Sequence, residues 1–283
     1  VSQEGFTQEP AKNIVKPGDY IVAFNDQTVH SKKELIEDLS KLDDSQVTLE
    51  VIRNGEKIPL SITPVKDVRG EYKLGVWVRD NTQGIGTLTF VDEKGNFGAL
   101  GHGISDVDTG ELLHINEGAL YQAKIIGIQK GSSGSPGEIS GMIHYDAQQV
   151  IGSIDKNCDQ GIFGTLNIVP KPLSLKKMEV AYKQGLETGP ATVLCGIDGE
   201  VKEFDAEITR IDMNHEDSNK SFVIQVTDQE LLDMTGGIVQ GMSGSPVIQN
   251  GKFAGAITHV FVQDAAGGYG IFAETMIENV EKE

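Results

Sequence analysis

Apolar and polar positions alternate with a period of two over short stretches along most of the chain, broken by glycine turns. A Pro17-Gly18-Asp19 turn runs into a strand that places Tyr20, Val22 and Phe24 on one face. Ser31 then caps a helix carrying Leu35, Ile36, Leu39 and Leu42 at helical spacing, and Glu34 completes a capping box. Val47, Leu49 and Val51 alternate, Asn54-Gly55 makes a hairpin turn, and Ile58, Leu60 and Ile62 alternate back. Residues 67–76 (DVRGEYKLGV) read as a polar joint. Beyond them the pattern is short strands with little helix, the exceptions being Met178–Gln184, Gln229–Met234 and Glu274–Glu281. Regularly spaced short strands over some 200 residues predict a mainly β fold, a sandwich or a pair of barrels. The expected organisation is a small α+β module at 1–66, a joint at 67–76 and a β-rich domain at 77–283.

Composition narrows the class. The chain has 283 residues with 34 glycines and 9 prolines, a turn-rich globular profile rather than a fibrous or disordered one. A formal charge of -18 argues against nucleic acid or anionic lipid as main partners, since both need clustered Lys and Arg. No run of about 18 apolar residues occurs, so no transmembrane segment is expected. The start at Val1, without a signal-peptide pattern, suggests a trimmed or processed product. Cys158 and Cys195 form neither a disulfide framework nor a CxxC and read as two free thiols.

Two motifs recur. Lys130–Gly137 (KGSSGSPG) is echoed by Gln240–Pro246 (QGMSGSP), and Lys94–His102 (KGNFGALGH) by Asn250–His259 (NGKFAGAITH), which suggests two related halves. A serine between glycines sits on a tight turn with its hydroxyl exposed, where the amides of Gly241 and Ser243 can converge into an oxyanion hole. Taken alone, GMSGSP is equally a Gly-Ser turn. Of six histidines, His102 ends an apolar Gly-Ala strand and His259 ends the matching one. His30 belongs to the first module, while His114, His144 and His215 lie in polar loops. Ser133, in the same half as His102, reads as a structural turn. No HExxH, ligand-spaced Cys/His set or GxxxxGK is present, and Asp106-Val107-Asp108 and Asp43-Asp44 lack the spacing of a calcium loop. No cofactor is therefore expected.

The strand GDYIVAFN, the helix KKELIEDL and the hairpin QVTLEVIRNGEKIPLSITPV resemble the second half of a PDZ domain. That resemblance implies a groove in which a peptide adds as a strand beside the helix, although the chain begins too late for the loop that holds the peptide's carboxylate. GIGTLTF (84–90), GALGHGISD (98–106), GIFGTL (161–166), TGGIVQGMSGSPVIQNGKFAGAITHVFV (235–262) and GYGIF resemble the sporulation-stage-IV B (SpoIVB) peptidases, PDZ-bearing serine peptidases of endospore-forming bacteria. The resemblance implies a trypsin-like double β-barrel with Ser243 as nucleophile, His102 as base and Asp228 as acid; Asp106, Asp146 and Asp155 are rivals for the last role. It also implies that Val260, Phe261 and Val262 contact the substrate backbone. The substrate would be a regulatory membrane protein of an intramembrane metalloprotease complex, whose cleavage leads to activation of a late sigma factor. Self-cleavage and export from the forespore into the space between the two membranes, with an anchor absent from this chain, are implied as well. The alternative is a non-catalytic adaptor that acts by binding.

Overall fold

The computed structural model describes every residue except 4–5, 44–45, 116, 147–148, 169–175, 198, 215–216 and 282–283, so His215 and Asp44 lie outside the described residues. The chain divides into two units, residues 1–83 with 106–111, and residues 84–105 with 112–283.

The first unit opens with a ribbon of β1 (Ser2–Gln3) and β2 (Phe6–Thr7). Next come β3 (Tyr20–Phe24), β4 (Gln27–Thr28), α1 (Lys32–Ser40), β5 (Val47–Arg53) and β6 (Glu56–Ile62), giving an antiparallel sheet of order β4-β3-β5-β6. The capping box forms: Glu34 N–H donates to Ser31 Oγ (3.2 Å), and the Glu34 carboxylate reaches back to the His30 amide (2.8 Å). Asn54 and Gly55 take φ 53° and 80°, the left-handed pair that a two-residue hairpin turn needs. Leu35 and Leu39 pack on Phe24, Val47, Leu49, Val51 and Ile62, whereas Ile36 points to solvent. The segment 67–76 is no bare joint. It carries half of the hairpin β7 (Val65–Lys66) with β8 (Tyr72–Lys73), and Leu74 is buried in the same core.

One ion pair ties this unit's turn to its sheet. Arg53 donates from Nε and Nη2 to the two oxygens of Asp19 (2.6 Å each) and from Nη2 to the Ile14 carbonyl (3.0 Å). Burial alone would raise the Asp19 carboxyl, but hydrogen bonds from Arg53 and from the Lys16 amide outweigh it and hold the group below the ordinary carboxylate range.

The second unit contains β9 (Leu88–Val91), β10 (Asn96–Ala99), β11 (Gly118–Tyr121), β12 (Ala123–Gln129), β13 (Glu138–Ile143), β14 (Val150–Cys158) and β15 (Gly161–Leu166) in its first half. Five of them form an antiparallel sheet of order β11-β14-β15-β10-β9, and β12 and β13 form a separate ribbon. The second half has β16 (Gly189–Cys195), β17 (Lys202–Ile211), β18 (Phe222–Val226), α2 (Gln229–Thr235), β19 (Pro246–Gln249), β20 (Lys252–Val260), β21 (Gly267–Phe272) and α3 (Ala273–Glu281). Its six strands close into a barrel, β16-β17-β18-β21-β20-β19, filled by Val193, Phe204, Ile208, Phe222, Ile224, Val247 and Ile257. Phe163 of the first half packs with Ala256, Ile271 and Met276 of the second, so α3 seals the two halves together. The fold is mainly β, as the pattern predicts, with a closed six-stranded barrel in its second half. The helical run expected at Met178–Gln184 is instead extended, with a single 3-10 turn at Lys183–Gly185. Phe253 donates to the Glu179 carbonyl and accepts from the Ala181 amide (2.8 Å each), so pairing with β20 overrides the weak helical pattern. Among the described residues, no helix is long and apolar enough to cross a membrane.

Replacing Arg53 by Ala leaves the buried Asp19 carboxylate without its partner and should lower the stability of the first unit by about 3 kcal/mol. Hydrogen exchange of the β5 amides reads that loss directly. Because the folded carboxyl is depressed, its contribution is present above the ordinary carboxylate pKa and disappears as pH falls through the folded value. Asp19→Asn should flatten that acid limb.

Candidate active site

Two sharp bends meet in the second unit. The first follows β10: Leu100 has φ 68° and Gly101 φ 71°, and His102 comes next. A left-handed leucine is held only where its surroundings enforce it, and here Leu100 N–H donates to the Thr87 carbonyl (3.2 Å). The second bend lies between α2 and β19. Gly241 has φ 100° and Gly244 φ 92°, both outside the range of ordinary side chains. A Cβ on Gly244 would stand 2.6 Å from the Leu100 nitrogen and closer still to the Thr87 carbonyl, so the two bends touch backbone to backbone. Thr87 N–H donates to the Ser243 carbonyl (2.9 Å) and Gly244 N–H to the Ile257 carbonyl (2.8 Å), pinning the serine turn between β9 and β20.

This packing brings Ser243, His102, Thr258 and His259 together. Ser243 Oγ donates to the Thr258 carbonyl (3.0 Å) rather than to an imidazole. The His102 and His259 rings lie 5.2 Å apart, centroid to centroid, at 39°. His102 Nδ1 is 2.8 Å from the Gly103 carbonyl. A carbonyl only accepts, so Nδ1 carries the proton and Nε2 presents the lone pair that a general base needs. The Gly241 and Ser243 amides donate to no carbonyl among the described residues, which leaves both open to an oxyanion.

His259 is the second histidine of the site rather than a substitute for the first. Burial, then the neighbouring His102 and Lys220, push its pKa down to about 4, with Asp217 opposing. Its Nδ1 is buried without a hydrogen-bond partner.

Asp228 is occupied elsewhere. It is the N-cap of α2: Oδ1 accepts from the Leu231 amide (3.1 Å) and Oδ2 from the Asp205 amide (3.2 Å). It makes no contact with His102, and the expected acid–imidazole pair is replaced in this structure by the Gly103 carbonyl. The rivals stand apart too: Asp106 caps its own loop and pairs with Arg79 in the first unit, Asp155 is exposed on β14, and Asp146 donates its amide to the His144 carbonyl. His30, His114 and His144 are exposed.

Of the three residues expected to meet the substrate backbone, two are committed. Phe261 N–H donates to the Gly267 carbonyl (2.9 Å), and the Val262 carbonyl accepts from Gly134 N–H (2.7 Å). Backbone groups alternate in direction along a strand, so Val260 turns its N–H and C=O to the opposite edge, beyond the Ser243 turn. Ser133 donates to the Gln263 carbonyl (2.9 Å); the first Gly-Ser turn thus buttresses this loop and holds no base. Neither Cys158 nor Cys195 forms a disulfide.

One residue is invisible to motif reading. Asn157 on β14 accepts from Ile104 N–H (2.8 Å) and donates to the carbonyls of Ile104 (2.8 Å) and Leu113 (2.9 Å), clamping the segment just after His102. No spacing in the sequence announces it.

A serine beside open amides and a histidine with a free Nε2, on a two-halved β fold, define a serine peptidase. The SpoIVB peptidase S55 family matches residues 70–277, and the chain belongs to that family. A PDZ domain matches residues 7–63. Among solved structures, the inactive form of Rv3671c protease is 15% identical, covering 59% of this chain and 87% of its own, with a TM-score of 0.31. The active form, from M. tuberculosis, is 17% identical, covering 56% and 71%, with a TM-score of 0.31. Neither is close enough to lend residue roles.

Gly244→Ala puts a methyl group into the Thr87 and Leu100 backbone and should separate the two bends, lowering peptide cleavage about 100-fold with little change in far-UV circular dichroism. Since His259 binds its proton only near pH 4 when folded but near 6.5 when unfolded, the unfolded chain holds more protons between those values. Stability should therefore fall as pH drops from 6.5 toward 4, and denaturant titrations across that window should show the slope flattened in His259→Gln.

Proposed function

We propose that Ser243 is the nucleophile and His102 the general base of a serine endopeptidase. Ser243 Oγ attacks a peptide carbonyl as its proton passes to His102 Nε2. The oxyanion sits against the Gly241 and Ser243 amides. His102 then gives the proton to the departing amine as the C–N bond breaks, and water repeats the sequence to free the acyl-enzyme. The observation that supports this reading is the backbone contact between the Gly244 and Leu100 bends, next to which Ser243 and His102 lie in the chain.

In the unliganded arrangement the hydroxyl rests on the Thr258 carbonyl and must rotate away to reach Nε2, giving up one hydrogen bond worth about 1 kcal/mol. That favours a resting enzyme completed by its substrate or a partner. The Gly103 carbonyl fixes the His102 tautomer as a carboxylate would, but supplies no negative charge for the imidazolium. The role assigned to Asp228 is accordingly the framework of the Ser243 turn, through α2, until a rearrangement brings a carboxylate to His102.

The family membership supports a place in sporulation signalling, where this peptidase cuts a regulatory membrane protein of an intramembrane metalloprotease complex in the space between forespore and mother cell, and so leads to late sigma-factor activation. Self-cleavage and peptide binding by the PDZ unit belong to the same reading.

A fluorophosphonate probe should label the unaltered chain at Ser243, and both labelling and cleavage of the regulatory protein should fall at least about 1,000-fold in Ser243→Ala and His102→Ala. Full signalling by Ser243→Ala in sporulating cells would establish the binding-only alternative instead.

A further inference from the structure

We propose that the polar cavity beside His259 is a substrate subsite that selects lysine or arginine at the residue just before the one whose carbonyl is attacked. This rests on the assignment of Ser243 and His102 above. The cavity measures about 310 Å³ and is lined by Asp159, Gln160, Asp217, Asn219, Lys220 and His259. Liquid water takes about 30 Å³ per molecule, so a long side chain fits with solvent to spare.

Its walls are tied to the strand that holds the nucleophile. Thr258, whose carbonyl receives Ser243 Oγ, donates from Oγ1 to the Asn219 carbonyl (2.6 Å). Asn219 Nδ2 donates in turn to the Asp159 carbonyl (2.9 Å), and Gln160 Nε2 to Ser218 Oγ (2.7 Å). The turn joining β14 to β15 and the 217–220 turn are thereby locked on either side of His259. The His259 ring lines this space and lies 5.2 Å from the His102 ring, tilted at 39°, so the cavity is one ring away from the proposed base.

Position and charge choose the occupant. A peptide pairing with the free edge at Val260 alternates its side chains, and the residue before the attacked one turns toward the His102–His259 face. Within the cavity Lys220 Nζ is neutralised by Asp217 (2.6 Å). Asp159 is solvent-exposed and has no ion-pair partner among the described residues, which leaves one uncompensated negative charge among the lining residues. Long cationic side chains reach such a carboxylate while laying their methylenes along the His259 ring. The chain's overall charge of -18 draws basic segments in from solution.

The test uses three fluorogenic peptides identical except for Lys, norleucine or Glu at that position, cleaved by the unaltered protein, Asp159→Asn and Asp159→Lys. The expected kcat/KM ratio of Lys to norleucine is about three- to tenfold in the unaltered protein, with Glu lowest. It should fall to near one in Asp159→Asn, and Glu should overtake Lys in Asp159→Lys, with thermal unfolding confirming that both variants are folded. A Lys-to-norleucine ratio near one in the unaltered protein, or a preference that survives Asp159→Asn, overturns the subsite while fluorophosphonate labelling at Ser243 still upholds the site. Absence of that labelling in the unaltered protein removes both.

Discussion

Everything at the site depends on one close approach of main chain to main chain. Gly244 has no room for a side chain because the Thr87 carbonyl and the Leu100 amide occupy that space. Residues 141 positions apart (243 − 102) thus share one corner of the molecule through backbone contact rather than through a side-chain bond between them. Two further features accompany the contact: Leu100, just before Gly101 and His102, is held left-handed, and the Ser243 carbonyl accepts from the Thr87 amide. A backbone contact of this kind is stiff, because interiors this dense relax little. It therefore holds the turns that carry Ser243 and His102 together without requiring the two side chains to bond one another at rest.

Side-chain bonds then decide the resting state. The hydroxyl has a carbonyl acceptor on Thr258, and the imidazole has one on Gly103. Each polar group is satisfied separately, so nothing in the unliganded site pulls Ser243 and His102 into a hydrogen bond. A substrate strand whose amide competes for the Thr258 carbonyl would displace the hydroxyl and release it toward Nε2. In that sequence of events the substrate itself supplies the last element of alignment.

The β-rich fold, the capped helix α1, the Asn54-Gly55 hairpin and the terminal helix were legible because each rests on local chemistry: period-two alternation, a Ser-x-x-Glu box, a left-handed Asn-Gly pair, an apolar helical stripe. The 178–184 stretch misleads because a backbone pairing with Phe253, some 70 residues away, decides it. The same divide runs through the site. Ser243, His102 and the open amides follow from glycine placement, which shows in the sequence. Asp228 looks like a catalytic acid by family pattern, yet an Asp directly before QELLDM is also an N-cap by local rules, and in this structure the local rule wins. Asn157 was out of reach because its job, bridging Ile104 and Leu113, is defined only once β14 lies beside the segment after His102.

The neutral His259 bears on how the base works. In the proposed mechanism an imidazolium forms on His102 as Ser243 attacks, and a second positive ring 5.2 Å away would oppose it. With its pKa pushed down to about 4, by burial first and by His102 second, His259 stays uncharged near neutral pH. With the Gly103 carbonyl supplying orientation but no charge, the imidazolium is stabilised less here than beside a carboxylate. A neutral His259 adds no opposing charge to that step, and its buried Nδ1, without a hydrogen-bond partner among the described residues, is what the arrangement costs.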